Sequence, residues 1–388
     1  GILALNATLD DPDTTGTQTT AVADFHAIVD IVGYTGKVTA TITEGGATAL
    51  AHATTGLCNT GTGHSLTVTV TDAAATATEL TTISAATILP VTLDSDGTAG
   101  DAITSIESST YATALALFQE GTTGFTGLSA SPVIVSDSIT VAQANALDAL
   151  TTGAITATIS DQALSVLGGL TGTGNAYTTV VQDTTAAASD LNALIAKTSV
   201  AVDASAATTV TGNLTDLNAF YVTNAAGHTG EANEAVTVSD TTLDAALLTA
   251  VNGATTGVIT VDATSITGQG DQIVALYDAD AAAGHLTGLD GAETLTITGD
   301  SGSTTVIQAD DLVALNADTS GLITIDSTAT SITGSYAEIE ACLTQNKLAA
   351  GVATVDSESA ADASRTAGTY TIGASDYTAT GSGTGATF

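Results

Sequence analysis

The side chains best suited to chemistry in this sequence are carboxylates set in turns. Asp94, Asp96 and Asp101 in the string DSDGTAGD bring hard oxygen donors close together, the donor type that Ca²⁺ takes. Asp10, Asp11 and Asp13, and the pair Asp278 and Asp280, do the same. None of these strings completes an EF-hand loop, and the glycine-aspartate nonapeptides of calcium β-rolls are missing. Asp also favours turns and helix N-termini, where its carboxylate accepts from backbone N–H groups. Asp94, Asp96 and Asp101 are therefore the candidate metal ligands, with calcium the candidate ion and capping plus solubility the competing reading.

Nucleophilic chemistry finds less support. The string Gly299-Asp300-Ser301-Gly302-Ser303 resembles the surroundings of the serine nucleophile in chymotrypsin-like proteases, but no histidine context supplies a base, and it reads as a repeat turn. His26, His52, His64, His228 and His285 show no metal-ligand spacing, and His228 and His285 occupy equivalent AGH positions that read as structural loops. Cys58 and Cys342 lie far apart and outside any CxxC string, which leaves a remote disulfide or two small buried apolar residues. The Asn-x-Thr strings at Asn6 and Asn213 are of a kind common by chance in a Thr-rich chain. The expectation is that the chain is not an enzyme.

Charge narrows the partners. Against 41 Asp and Glu stand only Lys37, Lys197, Lys347 and Arg365, a formal charge of −37. A field of that sign repels phosphate backbones and anionic headgroups, which excludes nucleic-acid binding and peripheral membrane binding and favours divalent cations. Four cations cannot line a groove for acidic polysaccharide either. No run of about 18 apolar residues is present, so membrane insertion is not expected. The chain opens at Gly1 without a charged-then-apolar leader, and is expected to be a mature product or a piece of a longer one.

The elements that must position these residues recur. A short alternating strand, an Asp-containing turn, an Ala/Leu-rich helix and a Gly repeat along the chain, most clearly from Ala235: AVTVSD, TTLDAALLTAVNG, ATTG, VITVD. Leu243, Leu247 and Val251 fall at i, i+4 and i+8 on one expected helix face, and Thr241 with Asp244 has capping-box-like spacing. A second coil type follows from Ile259, and the two-coil unit recurs about every 58 residues.

Tandem strand–helix units predict parallel strands joined by right-handed crossovers, hence an α/β solenoid with a parallel sheet. The expected organisation is a docking or cap segment over 1–36, the solenoid over 37–358, and a strand-like tail over 359–388. Strands are expected to begin near Val38, Leu66, Val91, Val133, Ile155, Thr178, Val200, Val236, Ile259, Leu295, Ile323 and Ala353, each pairing with the next. Thr237, Thr260, Thr296 and Thr324 would then stack as one ladder on the outer face. The string ADFHAIVDIVGYTG predicts a helix. Apolar GILAL at one end and Tyr370, Ile372, Tyr377 and Phe388 at the other predict head-to-tail association of copies by strand addition.

The strings VAQANALDALTTGAITATISD, YTTVVQDTTAAASDLNAL and SDTTLDAALLTAVNGATTGVITVDATSITG resemble repeats of very large secreted, adhesin-like surface proteins of marine cyanobacteria, over about residues 130–350. The resemblance implies an extracellular, cell-surface or matrix setting with calcium association. The function expected is a structural subunit assembling into a filament or surface layer, the alternative being an adhesin or binding stalk of a larger surface protein.

Overall fold

A strand of three or four residues flanked by Thr, Ser and Gly buries only one or two apolar side chains, so it is stable only when the same position of the next strand stacks on it. The computed structural model is built on this device. It describes residues 7–8, 19–30, 36–43, 45–57, 63–94, 103–230, 233–282, 284–300, 302–326, 329, 331–343 and 369–373. These residues form a mixed α/β structure with twelve α-helices and several parallel sheets, none of them closed. The chain divides into two compact units, Gly1–Val181 with Leu194–Asp203, and Gln182–Ala193 with Ala204–Phe388.

In the first unit, Val38–Ile42 pairs in parallel with Ser65–Thr67, so that Ala40 faces Leu66. The expected helix is present as Val22–Val29, and its Phe25 is fully buried against the edge of the His64 ring. A five-stranded sheet runs through Ala74–Thr76, Ser105–Ser109, Val133–Ile139, Ile155–Ile159 and Ala176–Thr178, all parallel. Buried Ala75, Ile106, Val133 and Ile155 form one column across it.

The second unit repeats the device. Thr185–Ala187, Thr209–Gly212, Ala235–Val238, Ile259–Thr260 and Leu286–Thr287 pair in parallel, stacking buried Ala186, Val210, Val236, Ile259 and Leu286. Thr242–Asp244, Ser265–Gly268, Thr294–Ile297 and Ile323–Ile325 stack Leu243, Ile266, Leu295 and Ile323 in a second sheet. Val306–Gln308 and Ser331–Ser335 form a third, joined on its edge by the antiparallel strand Thr369–Gly373.

Helices are short and bury a narrow stripe. Ala245, Leu248 and Val251 are the buried face of Ala245–Ala254, and Ala309, Leu312 and Leu315 that of Ala309–Asp318. The small first residue has a reason: a Cβ on Gly268 would collide with that of Ala245, so each helix start lies against the backbone of the next strand. Where helices end, a Thr hydroxyl makes the turn. Thr319 Oγ1 donates to the Glu293 carbonyl at 2.7 Å and accepts from Gly321 N at 2.9 Å. Thr87 and Thr198 make the same pair of bonds, to Leu66 O and Leu89 N and to Tyr177 O and Val200 N.

Several expectations need correction. Strands start within a residue of Val38, Leu66, Val91, Val133, Ile155, Val236, Ile259, Leu295 and Ile323, while those expected near Thr178 and Val200 are Ala176–Thr178 and Val202–Asp203. The start near Ala353 lies outside the described residues. Pairing does not simply link each start to the next. Val91–Leu93 pairs with Thr69–Val70 and Phe125–Thr126, and Ile259 stacks on Leu286 while Leu295 stacks on Ile266. The helix-leading strands, such as Ser265–Gly268, interpose themselves because a single buried Ile in a row of in-register partners suffices to hold them. The expected Thr ladder is consequently two: Thr211, Thr237, Thr260 and Thr287 on one sheet, Thr267, Thr296 and Thr324 on another. Leu243 belongs to a strand, not to the helix face, and Leu247 is only half-buried. Asp244 is itself the N-cap, accepting from Leu247 N at 3.0 Å, in place of a Thr241 capping box.

Candidate functional site: acidic turns and buried carboxylates

An orphan N–H at a helix start attracts an anion, and here the anion comes from a later strand or from the turn that follows one. Asp137 Oδ1 accepts from Tyr111 N at 2.7 Å, Asp161 Oδ2 from Val141 N at 2.7 Å, and Asp240 Oδ2 from Leu214 N at 2.6 Å; Asp72 serves Ala47 N in the same way. Each recipient is the first residue of its helix. The partners stand 20 to 26 residues apart, so these aspartates bind one coil to another as well as capping a helix.

Of the candidate calcium ligands, Asp94 is buried and its backbone N–H donates to Val70 O at 2.9 Å. Asp96 and Asp101 lie outside the described residues, as do Asp10, Asp11 and Asp13. Asp278 and Asp280 both sit on the helix Gly270–Ala281. Among the described residues no group of three or more His, Cys, Asp or Glu side chains is placed to hold a metal ion.

Asp300 and Ser303, from the Gly299–Ser303 string, face each other in an antiparallel bridge. Asp300 N donates to Ser303 O at 2.8 Å, Ser303 N returns a bond to Asp300 O at 2.7 Å, and Gly299 takes a φ of 137°. Ser301 lies outside the described residues. The buried Asp300 carboxylate faces inward, accepting from Gln308 N at 2.9 Å and hydrogen-bonding the Asp311 carboxyl. Burial, that hydrogen bond, and the charges of Asp300, Asp310 and Asp271 push Asp311 up to about 8. Burial, and then Asp278, raise Asp318 as well.

A second buried polar pair escaped the sequence reading. Tyr277 Oη donates to Glu293 Oε2 at 2.8 Å, and Tyr221 Oη donates to Glu234, at equivalent places in successive two-coil units. Both glutamates precede a strand that continues the stack. The signal was the recurrence of Tyr and Glu at the repeat period, hidden because Glu beside Asn233 or Asp290 looks like an ordinary polar turn.

The histidines serve structure. His64 Nδ1 accepts from Val38 N at 3.1 Å, and His228 stacks on Phe220 at 4.0 Å while its Nε2 meets Phe220 O at 3.0 Å. His228 opens a short strand, His228–Thr229, where a loop was expected, while His285 lies in the bend that immediately precedes Leu286–Thr287, as expected of a structural loop residue. Cys342 is a free buried thiol that burial pushes up to about 12, and Cys58 lies outside the described residues. Comparison of the chain with protein-family models, with curated proteins and with solved structures finds no match.

Proposed function

We propose that this chain is an extracellular, non-enzymatic structural protein whose coils continue as one right-handed α/β solenoid over about residues 37–358 and which assembles into a filament or surface layer. The observation that carries this reading is the in-register column Ala186–Val210–Val236–Ile259–Leu286. Such columns lengthen by adding rungs, and their stability lies between neighbours, which suits a load-bearing scaffold more than a reaction centre. The −37 charge fits an ion-rich exterior where screening by salt or divalent cations permits copies to approach. The resemblance to secreted surface repeats, with its implied calcium association, points the same way.

The stalk reading is favoured by one observation. Thr369–Gly373 already covers the Ser331–Ser335 edge within its own chain, as a monomeric presenting arm would require. Electron microscopy of purified protein at seawater-like ionic strength decides between them: filaments or sheets support assembly, and isolated rods at every concentration support the stalk.

A further inference from the structure

We infer that the strand Thr369–Gly373 exchanges between two copies of this chain, each tail completing the other's third sheet in a two-fold, tail-to-tail dimer. The inference rests on the pairing itself and stands apart from the filament reading, since a closed two-fold contact ends growth at this edge.

The acceptor is the edge of Ser331–Ser335, whose other side is taken by Val306–Gln308. The donor adds antiparallel, with Ser331 opposite Gly373, Ile332 opposite Ile372, Thr333 opposite Thr371, Gly334 opposite Tyr370 and Ser335 opposite Thr369. The parallel rungs described above are tethered by short crossovers and cannot leave without unravelling a coil. The tail is tethered differently. About 25 residues of sequence, 344–368, join it to the helix Tyr336–Leu343, enough to reach ~80 Å when extended. A partner's edge is therefore within range.

Closed and exchanged forms contain the same five residue pairs, so strand addition contributes equally to both. What separates them is the entropy of association and the mutual repulsion of two chains that each carry −37. The balance consequently shifts toward exchange with concentration and with salt. Donor and acceptor both belong to the C-terminal part of the chain. Once one tail has crossed, the second is held at high effective concentration beside the other vacated edge, and reciprocal closure outcompetes open-ended growth. The contact is isologous, so it joins copies tail to tail instead of head to tail.

Mixing two full-length variants, Thr333→Cys and Thr371→Cys, tests this directly. After co-refolding at high concentration and oxidation, a disulfide-linked heterodimer is expected, absent from wild-type protein carrying Cys58 and Cys342 alone. Its yield should rise roughly tenfold between about 50 mM and about 500 mM NaCl as charge is screened. The double variant Thr333→Cys/Thr371→Cys, oxidised at low concentration, reports the closed form. If that double variant closes within one chain while the mixture yields no heterodimer at any salt, exchange is overturned. Filaments seen by microscopy without the heterodimer would leave the assembly reading standing and remove only the exchanged tail; the heterodimer without filaments would do the reverse.

Discussion

Tyr277 and Glu293 meet in the interior of the second unit, the tyrosine hydroxyl donating to Oε2 at 2.8 Å with the glutamate 1% exposed. Burial, and then the glutamate's hydrogen bond and charge, hold the Tyr277 hydroxyl above the ordinary tyrosine range, so it remains a donor at any working pH. Glu293 Oε1 accepts from Asp290 N at 2.8 Å, which shapes the turn before the strand Thr294–Ile297. Tyr277→Phe removes the donor and leaves a buried carboxylate oxygen short of a partner. A loss of about 1–3 kcal/mol is expected in urea unfolding. Tyr221→Phe should act alike through Glu234. Unchanged midpoints for both variants would show the pair to be incidental.

The turn at Thr319 invites a sharper comparison. Its hydroxyl, in a residue 1% exposed, donates to Glu293 O and accepts from Gly321 N. Thr319→Val keeps the shape and loses both bonds, at about 1–3 kcal/mol. Thr319→Ser retains the hydroxyl and should lose less. Gly321→Ala should exceed an ordinary glycine substitution, because its Cβ would strike the Glu293 carbonyl oxygen. Denaturation of the three variants ranks them; a neutral Gly321→Ala would contradict the packing.

The legible part of this fold was the set of strands with two alternating buried aliphatic residues, such as Ala235–Val238 and Thr294–Ile297, because period-two burial is a property of the strand itself. The helix-leading strands were not legible. Thr242–Asp244 offers one Leu between Thr and Asp, and only its partner Ile266, itself stacked on Leu295, makes it a strand. The helix face was displaced for the same reason, since counting from Leu243 assigned a strand residue to the helix. The Asp turns were legible as caps in kind, but the helix each one serves lies a coil away, and that distance is set by stacking.

Asp161 and Asp240 allow the capping role to be separated from ion binding. Each carboxylate accepts from the first N–H of a helix, Val141 and Leu214 respectively. Asp161→Ala and Asp240→Ala should each lower stability by about 0.5–2 kcal/mol, with faster amide exchange at Val141 and Leu214. Loss of exchange protection only at the substituted turn, with the helix start untouched, would refute the inter-coil link. In wild-type protein we expect Ca²⁺ to raise the melting temperature more than NaCl of equal ionic strength. Identical curves with Ca²⁺ and EDTA would reduce the acidic turns to caps and solubilising charge.

The Asp300–Asp311 pair sets a pH response of defined sign. Burial, the hydrogen bond to Asp300 and the charges of Asp300, Asp310 and Asp271 raise Asp311 in the folded protein to about 8, well above its value in an unfolded chain. The folded state therefore binds this proton more tightly, so the contribution is complete in acid below the unfolded value and is lost as pH rises through about 8. Glu79 acts oppositely: burial raises it, but the Thr76 N–H and the Thr48 and Thr76 hydroxyls outweigh burial and hold it below its ordinary value. Its contribution is present above the unfolded value and lost in acid. The Asp311 contribution should accordingly make the melting temperature fall between about pH 4 and about pH 8 and level off above that. Asp311→Asn keeps a donor toward Asp300 without an ionisable proton, and should flatten that decline while leaving the acid limb of Glu79 in place. If the variant and wild type decline in parallel over that range, the Asp311 proton is not what the loss measures.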